Sequence, residues 1–336
     1  MPESDPRDLV FTPADSMRLT TQYLEHRREG KSIGIPLGLK SMDEFFIPAV
    51  PGDLITILGR PGNGKTGFMM RWARWRAKWL EQHEILDRVV VYATLEQTVE
   101  ELTAFQYAAE EQLSITAMAR GEITPEQWNH VLAAGVKRVT NPLWIIGHSA
   151  EAKRKRPKLT VNALALALES ITDQMVGEEN YKIDMLFVDY LQRIPYEGRL
   201  DSKTEMVSEN LDRLKDAGGA MACPVIAGVQ AKREVDKYDP PIPQTDDGQW
   251  TSNIEQTSDK MISLVRPALY KKEGERFGEM KVQGRCQMLC SILKQKLGPA
   301  NKAVWVYFDP VYNRLDELEL QSQLPIPDDD GKEIEW

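Results

Sequence analysis

Cysteine is scarce: Cys223, Cys286 and Cys290 are the three among 336 residues. They match no metal-ligand pattern. Cys286 and Cys290 lie close together in an apolar segment, so buried free thiols are expected rather than a redox pair. Long apolar runs are lacking too, which excludes a bilayer-spanning helix. The opening MPESDPRDLV is polar and acidic, unlike a signal peptide. These absences lead to the expectation of a cytoplasmic chain with no membrane partner. There is no basic excess either. The net charge of −9 does not advertise nucleic-acid binding, although an acidic exterior is compatible with a channel lined by a few cations. Internal repeats are missing. Hydrophobic residues, at 42%, suffice for one large α/β domain with extra segments, or for two small domains.

What is present begins with GRPGNGKT, Gly59 to Thr66, between the apolar run Leu54–Leu58 and a helix-like segment from Gly67. The pattern G-x-x-x-x-G-K-[ST] between strand and helix is a phosphate-binding loop. Its glycines let backbone N–H groups curl around phosphate oxygens, and the helix N-terminus adds partial positive charge. Gly59, Arg60, Pro61, Gly62, Asn63, Gly64, Lys65, Thr66 and Gly67 are therefore the expected nucleotide contacts.

Further buried strands are expected at Val89–Ala93, Leu143–Ile146, Met185–Val188 and Val225–Val229. Alternating with helices, they predict a mostly parallel sheet with helices on both faces. Met261–Val265, Gln287–Leu293 and Ala303–Phe308 lack long intervening helices and suggest an antiparallel C-terminal extension. Trp72, Trp75 and Trp79 mark one helix face, expected in the core or at a subunit contact. Residues 1–15 have little to bury. Ser16–Gly30 has helical spacing, with Met17, Leu19, Tyr23 and Leu24 as an apolar stripe. That stripe packs on its own domain or docks on a neighbouring subunit. The division expected is a tail plus linker helix over 1–30, one ATPase domain over 31–318, and an acidic tail over 319–336.

A phosphate loop needs carboxylates for metal and water. MLFVDYLQRI supplies Asp189 at the tip of a buried strand, where ligands bind in such sheets and where it would hold Mg²⁺, with Thr66 as a second ligand. Lys65 would neutralise the phosphates. Glu96, ending VVVYATLE, is placed as general base for the attacking water, while Glu100 and Glu101 read as solvated charges. Gln230 closes VIAGVQ, where a neutral amide can sense the γ-phosphate.

In their order and spacing, GRPGNGKT, YATLEQ, LFVDYLQRI, VIAGVQAKR, NIEQTSDKMI and ILKQKLGP resemble the C-terminal motor domain of DnaB-type replicative helicases, as does GIPLGLKSMDEF ahead of them. The likeness runs from about residue 31 to 316 and implies a RecA-like P-loop ATPase fold. It also implies ATP and Mg²⁺ as cofactors, assembly into a homo-oligomeric, hexameric ring, and 5′ to 3′ translocation on single-stranded DNA. Loader or replisome proteins are implied as further partners. Lys65, Thr66, Glu96, Asp189 and Gln230 match the family's cis half-site, and Lys294 and Lys296 the half contributed by a neighbouring subunit.

Three departures qualify the resemblance. The family's K-Q-R reads Lys294-Gln295-Lys296, so the expected arginine finger is a lysine without the planar fork. The family's R-E-S-G reads Gln249-Trp250-Thr251-Ser252: an arginine phosphate contact is lost, and Trp250 gains the ability to stack on a base. The family's primase-binding helical domain has no counterpart here, so coupling through it is not expected. Lys232 and Arg233, with Gln249, Trp250 and Ser252, are the candidate DNA contacts. The basic run Lys153 to Lys158 is either a solvated loop or a phosphate track. A DNA- or protein-binding ATPase without unwinding activity, such as a recombination mediator or assembly switch, uses the same nucleotide residues and stands as the alternative.

Overall fold

The apolar run Leu54–Gly59 forms β1, and all of its residues are buried. A strand buried on both faces reads as a continuous apolar stretch because alternate side chains enter different cores. Ile55 and Ile57 join Phe68 and Trp72 on one side, and Leu54 and Leu58 join Leu211 and Leu214 on the other. The computed structural model describes residues 10–29, 34–151, 157–196, 198, 202–250, 252–278 and 280–318. Lys153–Arg156 of the basic run, Thr251 and residues 319–336 lie outside them.

Helices α1 (Pro13–Arg28) and α2 (Lys40–Asp43) precede β1, which leads through the phosphate loop into α3 (Lys65–Gln82). Strand β2 (Arg88–Thr94) follows, then α4 (Val99–Glu111), α5 (Ile115–Arg120), α6 (Pro125–Arg138) and β3 (Leu143–Ile146). Helix α7 (Val161–Thr172), the small hairpin β4 (Met175–Val176) and β5 (Glu179–Asn180), and β6 (Lys182–Asp189) come next. After them are α8 (Lys203–Ala220), β7 (Val225–Gln230), α9 (Asn253–Thr257) and β8 (Lys260–Val265). A second small hairpin, β9 (Arg276–Phe277) and β10 (Met280–Lys281), precedes β11 (Gln287–Lys294), β12 (Lys302–Asp309) and β13 (Arg314–Glu317).

Nine strands form one sheet in the order β13-β12-β11-β8-β1-β7-β6-β2-β3. From β8 to β3 the neighbours are parallel, and β11, β12 and β13 add antiparallel strands. The expected parallel sheet with an antiparallel extension is thus present, with one adjustment. Met261–Val265 belongs to the parallel part, because β8 pairs in parallel with β1 and antiparallel with β11. A missing intervening helix does not fix strand direction; the excursion through α9 returns the chain to the same edge.

The tryptophan face of α3 is core. Trp72 meets Phe46 and Phe187 edge-on at 5.9 and 5.8 Å and donates from Nε1 to the Pro36 carbonyl at 2.8 Å. Trp75 covers Gly38, whose φ is +73° and where a Cβ would stand 2.3 Å from the indole. The segment before β1 is thereby pinned to the helix that follows the phosphate loop. Cys223 and Cys290 are buried free thiols as expected, with burial pushing Cys223 up to about 12, while Cys286 is half-buried. Helix α1 starts at Pro13, three residues before the predicted start, and Met17, Leu19 and Leu24 are exposed. Tyr23, the fourth residue of the stripe, is half-buried.

Candidate active site

The loop Gly59–Lys65 joins the C-terminal end of β1 to the first turn of α3. Gly64 caps the helix at φ +85°, and a Cβ there would lie 2.4 Å from the Met288 side chain, so both backbone and packing demand glycine. Asn63 is buried, donates to Tyr270 Oη at 3.0 Å and accepts from the Arg266 amide at 2.7 Å. Arg60 reaches away from the loop mouth to Asp236, with both carboxylate oxygens at 3.1 Å from Nε, and to the Ala231 carbonyl at 3.0 Å. Pro61 is exposed and Gly67 is buried against Phe308. The loop is held from outside, leaving its concave side to a ligand.

Lys65 Nζ donates to the Gly59 carbonyl at 2.8 Å. Burial lowers its pKa to about 8, against the opposing pull of Asp189 and Glu96. Asp189, at the tip of β6, is buried; its Oδ2 accepts from Thr66 Oγ1 at 2.7 Å and Tyr92 Oη at 2.9 Å. Burial pushes this carboxyl up, and the two hydrogen bonds and Lys65 pull it down. Thr66 and Asp189 were expected together, and they are. Tyr92 was not anticipated: it reads as an ordinary residue of the apolar run VVVYA, and only the parallel pairing of β2 with β6 turns its hydroxyl toward Asp189.

Glu96 follows β2 at the same sheet edge, with Oε1 4.0 Å from Arg193 Nη2. Glu100 and Glu101 are exposed, as expected of solvated charges, and are also held by local hydrogen bonds. Glu101 completes the capping box of α4 with Thr98, and Glu100 accepts from Ser149 and the Ala150 amide. Gln230 ends β7 beside Gly59. Its amide donates to Gln192 Oε1 at 3.1 Å and its carbonyl accepts from the Gln249 amide at 2.9 Å. Gln192, another residue that sequence reading left without a role, thus ties β6 to both ends of the 231–249 loop.

Lys294 and Lys296 do not join this group. Lys294 pairs in register with Met261, which is level with Thr56 near the start of β1, whereas the phosphate loop leaves from Gly59. Three residues of strand separate the two levels, roughly 10 Å. Lys294 Nζ donates to the Glu255 carbonyl at 2.6 Å, and Lys296 Nζ pairs with Asp259 at 2.5 Å. Among the candidate DNA contacts, Lys232 donates to the Asp246 carbonyl and Arg233 opens a short 3-10 turn. Trp250, at φ +85° and 42% exposed, lies 5.2 Å from Lys203 Nζ. Gln249 precedes it, and Ser252 is exposed ahead of α9.

The residues fit a magnesium nucleotide. Gly62 and Gly64 have left-handed backbones that open the loop, a half-buried ammonium stands at its mouth, and a hydroxyl and a carboxylate share one hydrogen bond beside it. Among the described residues no cluster of three metal-ligating side chains exists. Mg²⁺ is bound by one or two protein oxygens plus phosphate and water, and Thr66 and Asp189 are side chains of the kind it takes.

Similarity to known proteins can be set against this geometry. Replicative DNA helicase DnaB of Geobacillus stearothermophilus is 25% identical over 323 residues, covering 95% of this chain and 64% of that protein. The protein of the same name from Leifsonia xyli subsp. xyli (strain CTCB07) is 25% identical over 308 residues, 92% and 61% of the two chains. Replicative DNA helicase DnaC of Bacillus subtilis (strain 168) is 27% identical over 295 residues, 88% and 59%. The chain thus spans about three-fifths of the length of these relatives. A solved structure described as an ATPase domain superposes with a TM-score of 0.75 at 21% identity, covering 92% of this chain and all of that one. A DnaB-like replicative helicase, described with its interactions with primase, gives 0.74 at 22% identity, covering 90% and 66%. These two share the fold. The DnaB-like helicase C-terminal domain family matches residues 34–317, which contain every element of the sheet and the whole phosphate site, and the chain belongs to that family.

Proposed function

We propose that this chain hydrolyses ATP as the motor domain of a DNA helicase, working in a ring whose nucleotide sites lie between subunits and translocating 5′ to 3′ on single-stranded DNA. Bound ATP supplies the phosphoanhydride, and Mg²⁺ neutralises the charge that develops on it. Lys65 holds the phosphate oxygens, Thr66 and Asp189 hold the metal, Glu96 takes the proton of the attacking water, and Gln230 senses the γ-phosphate. The observation that carries the reading is the position of Lys294 and Lys296 at the sheet edge opposite their own phosphate loop. Cations there serve a neighbour's nucleotide and not their own. The relatives' names as replicative DNA helicases support the same reading.

A second reading, an ATPase that binds DNA or a protein partner without unwinding, is favoured by lysine at the finger position and by Trp250 where the family has an arginine-bearing loop. A forked duplex with a 5′ tail separates the two. Strand displacement that needs ATP supports the helicase; ATPase stimulated by the tail with no displacement supports the second reading.

A further inference from the structure

Arg193 sits in the 3-10 turn Leu191–Arg193 just beyond Asp189 and has no part in the roles assigned above. Its Nη2 is 4.0 Å from Glu96 Oε1, and its Nε donates to Tyr190 Oη at 3.0 Å. Lys65 also interacts with Glu96 through its charge. The side chains of Arg193 and Glu96 are 54% and 44% exposed, so water and salt weaken their pair and another anion can displace it. The adjacent Gln192 donates to the carbonyls of Gln230 and Gln249, the two ends of the loop carrying Lys232 and Arg233. Arg193 thus contacts the proposed water-activating carboxylate and is the chain neighbour of the residue that holds the ends of the candidate DNA loop.

We propose that Arg193 is a positioning residue that gates Glu96. Off nucleic acid it draws the carboxylate toward itself; on nucleic acid, a backbone phosphate takes the guanidinium and releases Glu96 to the attacking water. Guanidinium matches phosphate with paired hydrogen bonds, so the exchange is chemically even and needs only proximity. Release thus improves the placement of the carboxylate. The inference rests on Glu96 as the base.

The test measures ATPase turnover of the full chain with and without an oligothymidylate, for the parent and for Arg193→Ala, Arg193→Lys and Glu96→Gln. Arg193→Ala is expected to raise DNA-free turnover about two- to fivefold, the bias that an exposed ion pair can exert. KM for ATP stays unchanged, stimulation by DNA shrinks by the same factor, and Arg193→Lys falls between. A merely structural role would lower turnover in both conditions. DNA-free turnover at or below the parent's, undiminished stimulation, or a parent that DNA does not stimulate overturns the gate. Glu96→Gln separates the failures: parent-rate hydrolysis by that variant removes the base itself, whereas its inactivity beside a parent-like Arg193→Ala removes the gate alone.

Discussion

Asp189 is a carboxylate buried beside an ammonium, a hydroxyl and a phenol, and each neighbour offsets part of its desolvation. Tyr92→Phe keeps the ring and deletes one of those hydrogen bonds. Support of this kind behind a metal ligand is worth about tenfold or more in metal affinity. The Mg²⁺ concentration for half-maximal ATPase is expected to rise by that order, with little change in thermal stability; an unchanged Mg²⁺ titration would refute the role of Tyr92. At the chemical step, Lys65→Ala is expected to lose nucleotide binding. Glu96→Gln should bind ATP and hydrolyse it on the order of a hundredfold or more slowly.

Helices α3 and α1 give contrasting predictions at the scale of elements. Trp72 of α3 is 1% exposed and packs between Phe46 and Phe187, so Trp72→Ala leaves a large cavity. The cost is about 3–5 kcal/mol, to be read from the denaturant midpoint, and a shift under about 1 kcal/mol would contradict the packing described. Helix α1 leaves Met17 and Leu24 at 69% and 56% exposure. We expect it to dock on an adjacent motor domain. Deleting residues 1–30 should shift light scattering toward monomers, and assemblies of unchanged mass would exclude that docking.

At the scale of the whole molecule, the proposed function pairs half-sites from two subunits. Asp259, the partner of Lys296, also accepts from Lys215 and the Leu54 amide, so Lys296→Ala leaves it hydrogen-bonded and the fold intact. Charge supplied to a γ-phosphate by a neighbour is worth about a thousandfold in rate or more. Lys296→Ala is expected to lose most ATPase while an isolated subunit still binds nucleotide. Mixed with Lys65→Ala subunits, equally inactive alone, it should regain part of the activity, because some interfaces then pair an intact loop with an intact finger. Mixed assemblies of confirmed mass without recovery would make Lys296 an ordinary surface lysine. Lys296→Arg, which restores the planar fork, is expected to raise the rate.

The sequence by itself determined the phosphate loop, Asp189 and most strands of the sheet, because each is local: a glycine pattern bounded by apolar runs, or an acid at the end of one. It also determined the family, through the order of six such motifs. Strand neighbours were not local. Only the tertiary structure decided that β8 runs parallel to β1, that Tyr92 on β2 faces Asp189 on β6, and that Gln192 bridges the ends of a loop that begins and closes at Gln230 and Gln249. The same holds for Arg193 beside Glu96 and for the placement of Lys294 away from the phosphate loop. Each joins residues from strands or loops far apart in the chain, and sheet order and direction come from packing helices against both faces of one sheet, which no short stretch of sequence encodes.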